Sequence, residues 1–249
     1  MRSVRWHLVD THCHIDTPAF DDDRQSVIQR AFDARIGLIN SGISLTSNLA
    51  TRELLQHENV YAAYGLSPLN VAEKKSVKEF IRQNADSATA VGEVGLDFYH
   101  VKSEPQRERQ ENAFVRFIQL SQELGLPLVI HSRDAEERVF ELVHGVDQAV
   151  YHCYGGSVEL LKKIVDCGHY VSISTRVCRS GHHQKLVEKA PQDRVVIETD
   201  SPYLAARRGR NEPSFVGDAI VAISRIWDTE VEDAASIIAE NTRRAFNLG

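Results

Sequence analysis

Thr89–Phe98 reads TAVGEVGLDF, and after a short gap Ser103–Gly125 reads SEPQRERQENAFVRFIQLSQELG. The first stretch is a nearly continuous apolar run, as expected of a parallel strand covered on both faces. The second sets Phe114, Phe117, Ile118, Ser121 and Leu124 along one helical face. It opens on a capping-box spacing, Ser103 with Gln106, and ends where a C′ glycine belongs, at Gly125. Together they predict one strand-then-helix unit.

The unit recurs. WHLVDTH (6–12), IGLINSG (36–42), VYAAYGLS (60–67), PLVIHSR (127–133), AVYHCYG (149–155), HYVSIST (169–175) and RVVIETDSP (194–202) are further strand candidates. Most are rich in Val and Ile and alternate with amphipathic stretches. GSVELLKKIVDCG opens at Ser157, turns Leu161, Ile164 and Val165 to one side and closes at Gly168, and EVEDAASIIAENTRRAFNLG forms a last helix. Eight such units in 249 residues predict a (β/α)8 TIM barrel, one domain over residues 1–249. A doubly wound open sheet is the alternative, because strand count does not prove closure.

Composition sets outer bounds. The chain is 42% hydrophobic and 26% charged, with a net charge of −6. Those values suit a soluble globular protein and exclude a broad basic face for duplex nucleic acid, though not one cationic site. No run approaches the ~18 apolar residues of a membrane span, and no signal peptide is visible, so a cytoplasmic protein without membrane partners is expected. Cys13, Cys153, Cys167 and Cys178 show no paired spacing. Cys13 and Cys153 each sit beside a strand histidine and are expected to point away from it as small buried fillers.

The groups that bind metals fall at the ends of strands. His12 and His14 end the first, Glu93 the fourth, His131 the fifth, His152 the sixth and Asp200 the eighth. In a barrel those ends form the face that carries active sites. Residues i and i+2 of a strand share a side, so His12 and His14 can chelate one ion. Four imidazoles and two carboxylates exceed what one tetrahedral ion needs and suit two ions, with Glu93 as the bridging carboxylate.

The pattern DTHCHID, VGEVGLDFY, LPLVIHSRDA, YHCYGGS, ETDSPYL and RNEPSFV resembles the TatD family of metal-dependent nucleases in the amidohydrolase superfamily, from Asp10 nearly to the C-terminus. The resemblance implies a (β/α)8 barrel and a divalent-dependent DNase, several members of the family being exonucleases from the three-prime end. It implies one ion on His12, His14 and Asp200 and a second on His131 and His152, with Glu93 between. The ions would be magnesium, manganese or zinc, and the substrate nucleic acid, single-stranded DNA or DNA ends. Many superfamily relatives bridge their ions with a carboxylated lysine, whereas the fourth strand here offers Glu93, which favours phosphodiester over amide chemistry by analogy. The chain also departs from the family: where G-x-H-P-H is common, it reads GLSPL, so Ser67 and Leu69 stand for two histidines and a phosphate grip is expected to weaken.

In the expected mechanism the two ions activate water and Asp200 acts as general base. Substrate contacts are expected from Arg133, from Tyr154 with Gly155 and Gly156, and from Arg210 in the basic stretch that also holds Arg207 and Arg208. A salt-bridged surface arginine or a plain tight turn would explain the same residues. Asp97 and Asp134 are candidates to hold the second nitrogen of a ligating histidine, with helix capping the alternative for Asp134. His7, His57, His100, His144, His169, His182 and His183 are expected to be bystanders, the His182–His183 pair on solvated surface. Two rival functions stay open: a hydrolase of esters or amides, such as an aminoacyl ester on tRNA or a small cyclic amide, and a barrel that has lost catalysis.

Overall fold

The Val- and Ile-rich runs become β1 (Leu8–Cys13), β2 (Ile36–Ser41), β3 (Val60–Tyr64), β4 (Ala88–Asp97), β5 (Leu128–Arg133), β6 (Ala149–Tyr151), β7 (Tyr170–Ser174) and β8 (Val195–Glu198) in a computed structural model that describes residues 7–143 and 145–248. Trp6 and His144, read above as a strand residue and a bystander, lie outside the described residues. Every neighbouring pair is parallel, in the order β1 to β8. The helices are α1 (Arg24–Asp33), α2 (Leu45–Leu54), α3 (Lys74–Gln83), α4 (Glu104–Leu124), α5 (Glu136–Leu142), α6 (Val158–Asp166), α7 (Gly181–Lys189), α8 (Gly217–Trp227) and α9 (Val231–Phe246). One follows each strand, and α9 is added at the end. Among the described residues no helix is long and apolar enough to cross a membrane.

Closure is what separates this fold from an open sheet, and β1 meets β8. Asp200 donates its N–H to the His12 carbonyl at 2.9 Å and His14 donates to Ser201 at 2.8 Å. Below them the buried Asp10 carboxylate accepts from the Thr199 N–H at 2.8 Å and hydroxyl at 2.5 Å. Three ligand candidates, His12, His14 and Asp200, therefore take part in closing the barrel through their backbones.

Burial is layered. One apolar cluster fills the space between strands and helices. A second lies within the ring and takes Val9, Ile39, Ala63, Ala90, Val129, Val150, Tyr170 and Val196, one from each strand. Ala245 and Phe246 of α9 complete it. Asn241 docks α9 by donating to the carbonyls of Gln192 at 2.7 Å and Val195 at 2.8 Å, where the chain enters β8. The N-terminal mouth is thus plugged by apolar side chains.

Of the helix-end signals read from the sequence, those at Ser157 and Gly125 are seen in the structure. The Ser157 hydroxyl accepts from the Leu160 N–H to start α6, and Gly125 takes φ 63° to end α4. The capping box at Ser103 does not form: its hydroxyl donates to the Gln106 side chain at 2.7 Å, so the exposed pair satisfies itself instead of the backbone.

Candidate metal centre

Two strands place an extra residue beside their ligands. From Asp10 to Cys13 β1 advances three residues while β2 advances two, Leu38 to Asn40, and from Val91 to Val94 β4 does the same against Leu128 to Ile130 of β5. Such bulges turn side chains out of simple alternation and are common near active sites. Thr11 bonds across the barrel to Ser172 at 3.2 Å, yet the neighbouring His12 also joins the interior cluster. Strict alternation is therefore broken between Thr11 and His12, whereas His12 and His14 share a side as their i, i+2 spacing predicts, with Cys13 turned the other way into the outer core. Glu93 was expected at a strand end but lies inside β4, which runs on to Asp97. Gly95, two residues on, has no alternative, since a Cβ there would overlap the His131 carbonyl oxygen.

The six candidate ligands converge. Glu93 Oε2 lies 3.2 Å from His12 Nε2 and 3.4 Å from His14 Nε2. Its Oε1 lies 2.7 Å from His131 Nδ1 and 3.7 Å from His152 Nε2. Asp200 Oδ1 completes the first side, 3.6 Å from His14 and 3.9 Å from His12. Within each pair the imidazole nitrogens stand 3.1 Å (His12 and His14) and 3.3 Å (His131 and His152) apart. The carboxylate of Glu93 thus divides its two oxygens between two histidine pairs.

The outward nitrogens explain why these rings face as they do. His14 Nδ1 is 2.8 Å from the Ser41 carbonyl oxygen, which only accepts, so Nδ1 carries the proton and Nε2 turns a lone pair inward. His131 Nε2 is held by Asp97 at 3.1 Å and His152 Nδ1 faces Glu198 at 3.3 Å. His12 Nδ1 meets the Ser41 hydroxyl at 3.2 Å. In their neutral forms the inward nitrogens are acceptors, set against carboxylate oxygens that are also acceptors. Only positive charge makes such a cluster favourable, as protons or as a metal cation.

The acid–base behaviour follows. Burial lowers His12, with the charge of His152, to about 4. Burial opposes protonation of His14 and His131 as well. The hydrogen bond and charge of Glu93 nevertheless push His14 up to about 9, and Asp97 with Glu93 push His131 up to about 10. Burial would raise Glu93 too, but His152 and the bonded histidines hold it well below the usual carboxylate range. Asp200 goes the other way, burial raising it to about 6. The donor set fits divalent cations: His12, His14 and Asp200 form one group of close ligand atoms, and Glu93, His131 and His152 another.

A third group, His12, His152 and Glu198, was not anticipated. Glu198 is fully buried and neither oxygen has a hydrogen bond among the described residues. Its signal was present, because Glu198 precedes Asp200 by the same i, i+2 step that singled out His12 and His14.

The other candidates divide. Asp97 does hold the candidate ligand His131, and its second partner is His100 Nδ1 at 2.9 Å. Asp134 neither does so nor caps α5, whose N-cap is Ala135. Arg133 is exposed, with its guanidinium carbon 3.8 Å above the Tyr99 ring. The Tyr154 side chain, expected at substrate, is fully buried and its hydroxyl donates to the Ser157 carbonyl at 2.8 Å. Its ring instead fills space beside Gly156. Arg210 is engaged away from the cluster by Asp23 at 2.6 Å and the Ala19 carbonyl at 2.5 Å, over the Phe20 ring, where it ties the loop after β8 to the loop after β1. Arg207 pairs with Asp218 at 2.6 Å. Ser67 caps its own loop, accepting from the Leu69 N–H at 3.3 Å. Cys13 is buried as expected, but Cys153 is half-buried past the end of β6, and its thiol faces the Ser174 hydroxyl at 3.6 Å. His183 is buried rather than solvated, and the exposed His182 faces the Gly155 and Gly156 carbonyls at 3.0 and 3.1 Å.

Comparison with known proteins adds the family context. The family model described as TatD related DNase matches residues 9–247. An uncharacterised metal-dependent hydrolase of Methanocaldococcus jannaschii is 39% identical, over 99% of this chain and 98% of that protein. A protein of Shigella flexneri named 3'-5' ssDNA/RNA exonuclease TatD is 32% identical, over 97% of this chain and 99% of its own length. In fold, the chain matches the crystal structure of a TatD homologue from Escherichia coli with a TM-score of 0.88 at 24% identity, covering 98% of this chain and 99% of the other.

Proposed function

Because this chain belongs to the TatD-related DNase family, we propose that it is a divalent-metal-dependent hydrolase of phosphodiester bonds in DNA, acting on single strands or strand ends. The observation that carries the reading is the division of the Glu93 oxygens between His12 with His14 and His131 with His152. In this reading His12, His14 and Asp200 hold one ion, His131 and His152 hold a second, and Glu93 reaches both. Magnesium, manganese and zinc are the candidates, and four imidazoles among six donors favour zinc or manganese over magnesium. Bound there, the ions supply Lewis acidity to phosphate oxygens and ease the ionisation of water.

The protein's own groups do the rest. Asp200 is the proton acceptor: it is the more exposed of the two ligand carboxylates, at 15% against 7%. Asp97 orients His131 from behind by a hydrogen bond, and the carboxylate of Glu198 faces His152 Nδ1 with its charge. With a net charge of −6 the chain lacks the positive field that grips a duplex, so attraction of phosphate rests on the centre and its rim. The single-strand activity in the name of the Shigella relative agrees with that.

The test uses protein stripped with chelator and reloaded with magnesium, manganese or zinc, offered end-labelled single-stranded and duplex DNA and an aminoacyl ester. Cleavage of the single strand that returns with metal is expected, and Glu93→Ala should lower it on the order of 10³-fold while reducing bound metal read by mass spectrometry. Ester hydrolysis with DNA left intact under every metal would overturn the reading.

A further inference from the structure

The described residues expose seven large apolar side chains, and three of them, Leu69, Tyr99 and Tyr203, sit on loops that leave the C-terminal ends of β3, β4 and β8. Both exposed tyrosines are thus on the face that carries the metal centre. Tyr203 is 57% exposed, and its ring stands edge-on to His14 with centroids 6.4 Å apart. Its backbone is pinned, the N–H donating to the Asp200 carbonyl at 2.8 Å and the carbonyl accepting from Asn211 at 2.7 Å. Its hydroxyl makes no hydrogen bond among the described residues. The backbone of Tyr203 is thus fixed while its ring face stays open to a partner beside His14.

The other side of the centre is built differently. Tyr99 is 48% exposed and carries the Arg133 guanidinium at 3.8 Å and the Lys102 ammonium at 5.4 Å from its ring centroid. Arg133 has no carboxylate partner among the described residues. It follows His131 by two residues on β5 and lies opposite Asp97 of β4. The ring therefore holds an unneutralised cation beside the His131 half of the site.

We infer that an unpaired nucleobase stacks on Tyr203 while Arg133, supported by Tyr99, takes a backbone phosphate on the opposite side of the centre. The inference rests on the nuclease reading and extends it to how the strand lies. Stacking on an aromatic face suits every base, and an arginine beside it tracks the backbone. A base inside a duplex has both faces covered by its stacked neighbours, so Tyr203 is open to unpaired bases and strand ends. The rim thereby selects single strands without reading sequence.

The experiment uses metal-loaded full chain and a single-stranded oligonucleotide with 2-aminopurine at its end, beside the same strand with an abasic end. Stacking on Tyr203 should quench the 2-aminopurine. Tyr203→Ala should abolish the quench and weaken binding roughly 10-fold, the scale of one stacked base, while Tyr203→Phe keeps both. The loss of kcat/KM in Tyr203→Ala should be about tenfold larger on the base-bearing strand than on the abasic one. Arg133→Ala should lower the slope of log affinity against log salt by about one. If wild type cleaves DNA but Tyr203→Ala quenches and discriminates as wild type does, this inference fails and the nuclease reading stands. If wild type neither binds nor cleaves the strands, both fail.

Discussion

The two mouths of the barrel are lined by the same eight strands and could hardly differ more. At the N-terminal end each strand contributes an apolar side chain, and Phe246 and Ala245 of α9 seal the cluster. Farther along those strands come four imidazoles and the carboxylates of Glu93, Glu198 and Asp200, all poorly solvated and set acceptor against acceptor. Apolar burial stabilises the first end without any ligand. The second end needs incoming positive charge, and so costs stability until protons or cations arrive. A short translation along a strand separates what holds the molecule together from what lets it act.

That contrast can be broken from either side. The largest effect on stability is expected at the plug, where Phe246→Ala should lower the unfolding free energy by about 3–5 kcal/mol, read by denaturant titration, while leaving metal affinity at low temperature close to wild type. A matching loss of metal affinity would show that the two ends are not independent. At the other mouth Glu198→Gln removes the acceptor charge behind His152 and should weaken metal binding about 10- to 100-fold by isothermal titration.

The last expected effect is one of pH. In the metal-free protein His14 and His131 have folded values of about 9 and 10, above the 6.5 of an unfolded chain. Their stabilisation is complete below pH ~6.5 and is lost as pH rises toward 9–10. Metal-free protein should therefore show a melting temperature that falls over this window, measured by calorimetry. Loaded protein should not follow it, because cations replace those protons, and metal affinity should rise with pH over the same range.

The strand–helix alternation was legible because periodicity is a local property: β2 begins at the Ile36 expected of it, and α6 starts at the Ser157 cap. The convergence of the six candidate ligands was legible because residue type and strand position together imply a common rim. Tyr154 and Arg210 misled for one shared reason. Their neighbours in sequence touch the mouth, but their side chains found a buried pocket at Ser157 and an ion pair with Asp23, more than 180 residues back along the chain. Glu198 was legible only through its i, i+2 spacing from Asp200, a step inside a Val- and Ile-rich strand that suggests a shared face but not a role.

What the sequence determined by itself was therefore the kind and order of the units and the chemistry of the donors, since period and residue type are written along the chain. Only the tertiary structure decided closure, through Asp10, Thr199 and the backbones of His12 and His14. Register between β1 and β2 and between β4 and β5 likewise turned His12 and Glu93 inward. The physical reason is that a side chain's direction depends on pairing with strands distant in sequence, and one extra residue at a bulge reverses it.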